Sequence, residues 1–401
     1  MRIATSTQFY RALNGMMDSQ AQIARAQQQV GTGKRLLSAA DDPAAAAQVQ
    51  GLGERLGAIE QFQRNADLLE LRLSDQETAV SSAVNLLQRV RELTVQGRNG
   101  SLSPADRGFI ATEIGQRLEE LKGLANTRNA AGEHIFAGTA VDTLPFTTDA
   151  GGNVVYNGNE NVRSLAITEG RTMIEAHSGV EVFMAVRNGN GTFVMDVPTT
   201  NTGTGRLGND TLVNPATYQP DDFRISFTAA GTFDVINDTT GATVLSAQPY
   251  VPGAAIAFNG LSVAVTGAPA TGDEFLVGPS ANQSVFATLG NVMSTLRSPP
   301  TTDAARARFN FDMDRGLADI DQALERMLEV QATIGAKGNA LFAQRSINED
   351  LSVQLEKARS DLEDVDPVRA ISDLARHSQA LEAAQQAFVK VQGLSLFNFL
   401  R

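Results

Sequence analysis

The sequence FYRALNGMMDSQAQIARAQQQV, residues 9–30, repeats its apolar positions at alternating spacings of four and three. The series consists of Phe9, Leu13, Met16, Gln20, Ile23, Gln27 and Val30. This spacing is typical of a heptad seam, here with two polar positions. It predicts a helix with a narrow apolar stripe, which buries too little surface to offset its ordering entropy alone. The N-terminal end therefore needs a partner.

The same spacing recurs near the other end of the chain. That series consists of Ile371, Leu374, Ser378, Leu381, Gln385, Phe388 and Val391. The nearest partners for each stripe are the opposite end of the chain and neighbouring subunits, so we expect both ends to become ordered on assembly. The predicted assembly interface is the apolar part of the two series: Phe9, Leu13, Met16, Ile23, Val30, Ile371, Leu374, Leu381, Phe388 and Val391.

Longer apolar series predict further helices between these ends. One series runs from Val49 to Val90. Another runs from Leu317 to Leu341 and, after a change of phase, continues from Ile347 to Leu362. Shorter helices are predicted from Pro104 to about residue 127 and from about Ser284 to Leu296.

Three of the predicted helix starts pair a capping side chain with a proline. They are Asp42-Pro43, Ser103-Pro104 and Asp366-Pro367. Proline suits the first helical position, where its missing N–H costs nothing. The adjacent acids Asp41 and Asp42 are therefore interpreted as caps rather than as a metal or general-base site.

Residues 138–280 differ from both flanks in composition. They hold 18 of the 35 glycines and 8 of the 13 prolines, with no lysine, and their 14 acids against 5 arginines carry −9 of the net charge of −12. Short β-branched and aromatic stretches between turn signals predict strands, at 153–156, 223–227, 233–236 and 261–265. This segment is predicted to be a β-rich insert.

The predicted fold class is mainly α and multidomain, with an inserted β domain. The N- and C-terminal flanks form a long antiparallel helical bundle or coiled coil around the β-rich central domain. Residues 1–40 and 363–401 are expected to be a terminal coiled-coil assembly domain, 41–137 and 281–362 a long-helix bundle domain, and 138–280 an outward β-rich insert domain.

The composition argues against most kinds of catalytic, metal-binding and nucleic-acid-binding site. The chain has no cysteine, which excludes disulfides and thiol nucleophiles, and its acidity argues against binding nucleic acid. We expect no cleavable export signal and no membrane-spanning segment, since the first thirty residues have no apolar block and no apolar run is long enough to cross a bilayer. Its three histidines are far apart, and each is expected to have a surface or capping role. We predict no enzyme activity, no cofactor, and no catalytic or metal-binding residues.

Gly31-Thr32-Gly33-Lys34 is a poor match to a phosphate-binding loop, and a loop between helices is the expected structure. The wider segment VGTGKRLLSAADDPA, residues 30–44, resembles the N-terminal signature of the flagellin superfamily. TIGAKGNAL at 333–341 resembles the superfamily's C-proximal helix motif, and LSLFNFLR at 394–401 resembles its C-terminus.

Other motifs resemble the hook-associated branch of that superfamily. They are DDPA at 41–44, HIFAGT at 134–139, and the segment from Gly253 to Ser280. Flagellin usually has alanine where Pro43 stands here. The resemblance covers both helical ends fully and the insert loosely.

The resemblance implies a structural part of the bacterial flagellum. The two ends would pair as coiled-coil helices lining the channel, with the insert projecting outward. The expected role is an adaptor ring of identical subunits between a proximal hook–filament junction protein and the flagellin filament; the alternative is a filament flagellin. The resemblance also implies secretion by the flagellar type III export route, with an export chaperone and the export apparatus as partners, and an extracellular location at the hook–filament junction.

Overall fold

The helices follow the predicted apolar series closely. The computed structural model describes residues 2–229 and 231–393, and within them the helices are α1 (Arg2–Thr32), α2 (Pro43–Gly97), α3 (Pro104–Ala125), α4 (Val285–Arg297), α5 (Asp303–Glu363) and α6 (Pro367–Gly393), with a short π-helical turn at Val180–Met184. The predicted starts at Pro43, Pro104 and Pro367 are confirmed.

Side chains cap these starts as the sequence indicates. Ser103 and Asp106 form a capping box at α3, in which each side chain accepts a hydrogen bond from the other residue's backbone N–H. Asp366 Oδ1 accepts hydrogen bonds from the N–H groups of Val368 and Arg369, at 2.9 and 3.2 Å. These bonds satisfy donors that the first helical turn otherwise leaves unpaired.

The strands all lie between α3 and α4 in sequence. They are β1 (Phe146–Thr148), β2 (Val154–Tyr156), β3 (Ser164–Thr168), β4 (Arg171–Ile174), β5 (Val186–Arg187), β6 (Phe193–Asp196), β7 (Arg206–Leu212), β8 (Phe223–Ala229), β9 (Thr232–Asn237), β10 (Ala242–Pro249), β11 (Ala255–Phe258), β12 (Leu261–Thr266), β13 (Glu274–Pro279) and β14 (Asn282–Gln283). The pairs are antiparallel, and the two larger sheets have the orders β10-β9-β8-β13-β6 and β11-β12-β7.

One hydrophobic core joins the helices to the first part of the β-rich segment. It combines residues of α2 to α5 with Phe146, Ile167, Phe183 and Val186. Gly138 enters this region with a φ of +68°, and a side chain there would collide with the backbone oxygen of Asn159. The position therefore favours glycine on both counts.

A second core lies between the two larger sheets. It contains alternate residues of β8, namely Phe223, Ile225 and Phe227, together with residues of β12 and β13. Helix α5 adds Phe311. Alternation of buried and exposed side chains is what a strand produces when one of its faces is covered. The β6–β13 region thus forms a packed pair of sheets.

The packing of its residues divides the chain into two compact units: Met1–Asn65 with Ala343–Arg401, and Ala66–Phe342. Both hydrophobic cores belong to the second unit. The predicted fold class, helical flanks with an inserted antiparallel β domain, is confirmed. The three-domain division at residues 40, 137, 280 and 362 stays a prediction, because packing does not measure which parts fold independently. Apolar residues of segment 138–187 do, however, lie in the same core as the helices.

Candidate assembly surface

The two terminal helices form an antiparallel pair. The rings of Phe9 on α1 and Phe388 on α6 lie 5.3 Å apart between centroids. At the opposite end of the pair, the N–H of Val365 donates to the carbonyl oxygen of Gly33 at 2.9 Å. Each narrow stripe thus has the other as its first partner, as the heptad spacing indicates.

The predicted interface residues differ in how far this pair covers them. Six are half-buried: Leu13, Met16, Ile23, Leu374, Leu381 and Phe388. Phe9 and Val30 remain about 40% exposed, and Ile371 is 55% exposed. The side chain of Val391 lies outside the described residues. Assignment of these ten residues to a contact between subunits stays a prediction.

Sequence reasoning missed the small residues of this seam. Ala26 on α1 and Ala370 on α6 are buried, and His377 and Ala384 are half-buried. On α6 the covered positions are 370, 373, 374, 377, 381, 384 and 388. The predicted series shares 374, 381 and 388 with them and is displaced by one residue at 371, 378 and 385. Alanine at heptad spacing was the signal for them, but it is weak because alanine is common throughout these helices.

Large apolar side chains remain exposed on the other sides of the pair. On α1 they include Tyr10 and Met17, at 62% and 59% exposure; on α6 they include Val368, Ile371 and Val389. Clustered exposed apolar side chains mark surfaces that bind other proteins. The pair therefore offers contact surface beyond the one it uses internally.

The loop after α1 ties this pair to the start of α2. Asp41 Oδ2 accepts hydrogen bonds from the N–H groups of Leu37 and Ser38, at 3.0 and 2.9 Å, and its carboxylate pairs with Arg25. Asp42 Oδ1 accepts from the N–H of Ala45 at 3.0 Å. The interpretation as a helix cap is confirmed for Asp42, whereas Asp41 holds the preceding loop and pairs with Arg25.

The same loop is bound to the junction of α5 and α6. The N–H of Arg35 donates to the carbonyl oxygen of Glu363 at 2.7 Å, and its guanidinium donates to that of Leu362 at 2.8 Å. Lys34 pairs with the Glu363 carboxylate. The segment that resembled a phosphate loop is thus a connection between helices, with its lysine engaged by a carboxylate.

The expected surface or capping role is wrong for His177, which is buried against Glu181 and Lys337. His134 is also buried, but its ring contacts the C-cap carbonyl of α3. His134 and His177 are only 3% and 6% exposed, while His377 is half-buried on α6. His134 Nδ1 lies 2.9 Å from the carbonyl oxygen of Asn126, and Arg128 donates to its Nε2 at 3.2 Å. A buried imidazole is tolerated when both ring nitrogens are hydrogen-bonded in this way.

Neither a metal-binding cluster nor a membrane-spanning helix is found in the part of the chain that the structure describes. Across residues 2–229 and 231–393, no three histidine, aspartate or glutamate side chains are grouped so that they could hold a metal ion. None of the described helices combines the length and apolarity that crossing a membrane requires. The most distinctive feature of these residues is a helical pair with unfilled apolar surface, which can make protein contacts.

Models of known protein families match both helical flanks of this chain. The model of the bacterial flagellin N-terminal helical region matches residues 3–141, and that of the C-terminal helical region matches residues 317–400. A flagellin of Listeria monocytogenes is 34% identical over 105 residues, which are 26% of this chain and 37% of that flagellin.

Other relatives match nearly end to end. Flagellar hook-associated protein 3 of Escherichia coli is 24% identical over 399 residues, covering 99% of both chains. The crystal structure of flagellar hook-associated protein 3 from Legionella pneumophila is 31% identical, covers 78% of this chain and 98% of its own, and superposes with a TM-score of 0.74. Identity at this level over nearly a whole chain indicates common descent as well as a common fold.

Proposed function

Because the chain belongs to the family of flagellar hook-associated protein 3, we propose that it is a structural component of the bacterial flagellum that connects the hook to the flagellin filament. The observation that carries this proposal is the match over nearly the full length of that protein, β-rich segment included. A filament flagellin is the alternative, because the family models matching both flanks are those of flagellin. The flagellin relative, however, matches only about a quarter of the chain.

The proposed mechanism is assembly without chemistry. The α1–α6 pair would pack against the same pair of neighbouring subunits, through Phe9, Val30, Ile371 and the other predicted interface residues. Burying exposed apolar surface provides the driving force, at about 25 cal/mol for each Å² removed from water. Identical subunits joined head to tail through such a surface form a closed ring or a helical array.

The proposed partners follow from that position. A ring would contact a proximal hook–filament junction protein on one side and flagellin on the other. The subunit would leave the cell by the flagellar type III export route, with an export chaperone and the export apparatus as transient partners. Its final location would be extracellular, at the hook–filament junction.

Immunogold labelling of intact flagella tests the proposal. Antibodies against the exposed strand β10 are expected to label one band between hook and filament. Labelling along the whole filament would instead support the flagellin alternative. A deletion strain is the second test: it is expected to release flagellin monomers into the medium, because no ring remains on which the filament can start.

A further inference from the structure

Three ionisable side chains form a row inside the unit that spans residues 66–342. His177 Nδ1 lies 2.9 Å from the carboxylate of Glu181, and His177 Nε2 lies 3.1 Å from Nζ of Lys337. His177 follows β4, Glu181 belongs to the π-helical turn, and Lys337 lies on α5. The imidazole at the centre of the row is buried, whereas Lys337 at one end is half-buried and Glu181 at the other is 41% exposed.

The chemistry of the three groups determines which ring nitrogen of His177 carries the proton. A lysine amine in contact with a ring nitrogen can only donate when it is charged, so His177 Nε2 is the acceptor and carries no proton. The ring proton is then on Nδ1 and is donated to Glu181. The backbone of His177 is held as well, since its N–H donates to Gln76 Oε1 at 3.1 Å and its carbonyl oxygen accepts from Gln76 Nε2 at 3.2 Å.

The surroundings make the ammonium of Lys337 easier to deprotonate than that of an ordinary lysine. Burial lowers the pKa of Lys337, and the charge of Glu181 opposes this only in part. Burial also lowers the pKa of His177, helped by the nearby charges of Lys337 and Arg326 and opposed by Glu181. Only the neutral amine is nucleophilic, and a neighbouring base held by a third group is the usual way to activate such a nucleophile.

We propose that Lys337 is an acylation site, whose amine takes an acyl group from an activated donor, a thioester or an acyl phosphate, with His177 as the proton acceptor. The neutral amine attacks the carbonyl carbon and forms the C–N bond. Collapse of the adduct breaks the carbonyl bond to sulfur or to the phosphate oxygen, and the thiolate or phosphate leaves as an anion. The proton shed by the nitrogen passes to His177 Nε2 and then to solvent, while Glu181 stabilises the transient imidazolium.

The other lysines provide internal references. The chain has five lysines: Lys34, Lys122, Lys337, Lys357 and Lys390. Lys34 pairs with Glu363, and Lys122 pairs with Glu119. A carboxylate partner favours the charged ammonium, which is not nucleophilic. The proposal does not depend on the flagellar role, so either can fail without the other.

The test measures acylation at each lysine of the purified full-length chain. The protein is incubated at pH 7.5 with limiting acetyl phosphate in one arm and acetyl-coenzyme A in the other, and peptide mass spectrometry follows each site. General-base assistance contributes 10²–10⁴-fold in evolved sites, so Lys337 is expected to react about tenfold faster than Lys34 and Lys122 in at least one arm. That arm identifies the donor class. Equal rates at Lys337 and the two references in both arms would overturn the proposal.

Two variants separate base assistance from simple accessibility. His177→Gln and Glu181→Gln are each expected to reduce the rate at Lys337 to that of the reference lysines, without changing the reference rates. Glu181 is partly exposed, so its variant is the safer one for folding, and far-ultraviolet circular dichroism checks both. If Lys337 kept its advantage in both folded variants, the assignment of His177 as proton acceptor would be wrong.

Discussion

His177 occupies a position where a positive charge is disfavoured. Its ring is buried, the ammonium of Lys337 lies 3.1 Å away, and Arg326 donates a hydrogen bond to the backbone oxygen of Glu181 nearby. Only the Glu181 carboxylate favours the imidazolium. In the unfolded chain the same side chain is free to bind a proton in water. Folding and protonation of His177 therefore oppose each other.

This opposition predicts a pH dependence of stability. Burial lowers the pKa of His177 below its ordinary value of 6.5, so between the two values the unfolded chain binds more protons than the folded one. The free energy of unfolding is expected to fall as the pH drops through about 6.5, and the contribution of His177 levels off below its folded pKa. Urea unfolding at a series of pH values from neutral to acidic measures this.

Variants at His177 and Glu181 test whether His177 causes this pH dependence of the unfolding free energy. His177→Gln is expected to make the unfolding free energy less dependent on pH in this window. Glu181→Gln removes the charge that favours the imidazolium, so the decline should extend to lower pH. An unchanged slope in His177→Gln would mean that other groups produce the dependence.

Single residues were predictable from sequence where their partners are close in the chain. Asp42 and Ser103 cap helices through N–H groups three residues away, and each stands beside a proline, so the pattern is visible locally. His177 meets Lys337 across 160 positions. Nothing in its neighbouring sequence indicates burial, which is why the surface role assigned to it was wrong.

At the scale of elements, the terminal helices are packed less completely than the helices of the first core. Leu69 and Leu87 on α2 are fully buried, whereas Leu13 and Leu381 on the α1–α6 pair are only half-buried. Amide protection follows the free energy of local opening, which depends on buried apolar contact. The pair therefore depends on further contacts for its stability.

Hydrogen exchange is expected to reveal this difference. In the monomer, the amides of α1 and α6 should exchange much faster than those of α3 and of residues 66–93 in α2. Assembly should then slow exchange in both terminal helices, because it covers the exposed apolar sides of Tyr10 and Ile371. Slow exchange of α1 and α6 in a verified monomer would contradict the prediction.

Whether an element is helical was easier to predict than which of its sides is covered. The apolar series of α5 runs from Leu317 to Leu362, so the existence of this helix is clear from the period alone. The seam of α6 is set by Ala370 and Ala384, whose small side chains let α1 approach closely. A pattern search weighted towards large apolar residues therefore selected Ile371, one position away.

Considered as a whole, the chain has its compositional and its packing boundaries in different places. Composition changes at Gly138, but Phe146 and Phe183 pack into the core of α2 to α5. The second core includes residues from Phe193 to Val277 and Phe311 of α5. Composition reflects solvent exposure and turn content, and it does not record which core a buried phenylalanine joins.

Two deletions distinguish these boundaries. Replacing residues 190–279 by a short Gly/Ser linker should leave a cooperatively folding helical core, because Ser280 Oγ and the carbonyl oxygen of Asn188 are hydrogen-bonded at 2.7 Å and the ends need no long span. Replacing 142–277 should destabilise that core strongly, because it removes Phe146 and Phe183. Thermal unfolding followed by circular dichroism compares them. Equal stability of the two deletions would instead support independent folding of the whole 138–280 segment.

A single substitution in the α1–α6 seam is expected to affect the assembly of subunits more than the stability of the monomer. Leu381 lies at the centre of the α6 seam, half-buried between Leu374 and Phe388. In the monomer Leu381→Asp loses part of one apolar contact, at a cost of about 1 kcal/mol to the terminal pair and little to the core of α2 to α5. In an assembled ring the position becomes enclosed, and an unpaired carboxylate there costs several kcal/mol or is forced to protonate. The symmetry of the ring repeats that cost in every subunit.

The expected phenotype of Leu381→Asp is a folded, exported subunit that fails to join the hook, so that flagellin appears in the culture medium. Gln379→Asp is the matched control, because it adds the same charge on the exposed side of α6, nearly opposite the seam. Immunoblots of the medium for both proteins, with electron microscopy of the cells, give the readout. Normal filaments on the Leu381→Asp strain would refute the seam as the assembly contact. Equal loss of filaments in both strains would mean that added charge anywhere on α6, rather than burial at the seam, blocks assembly.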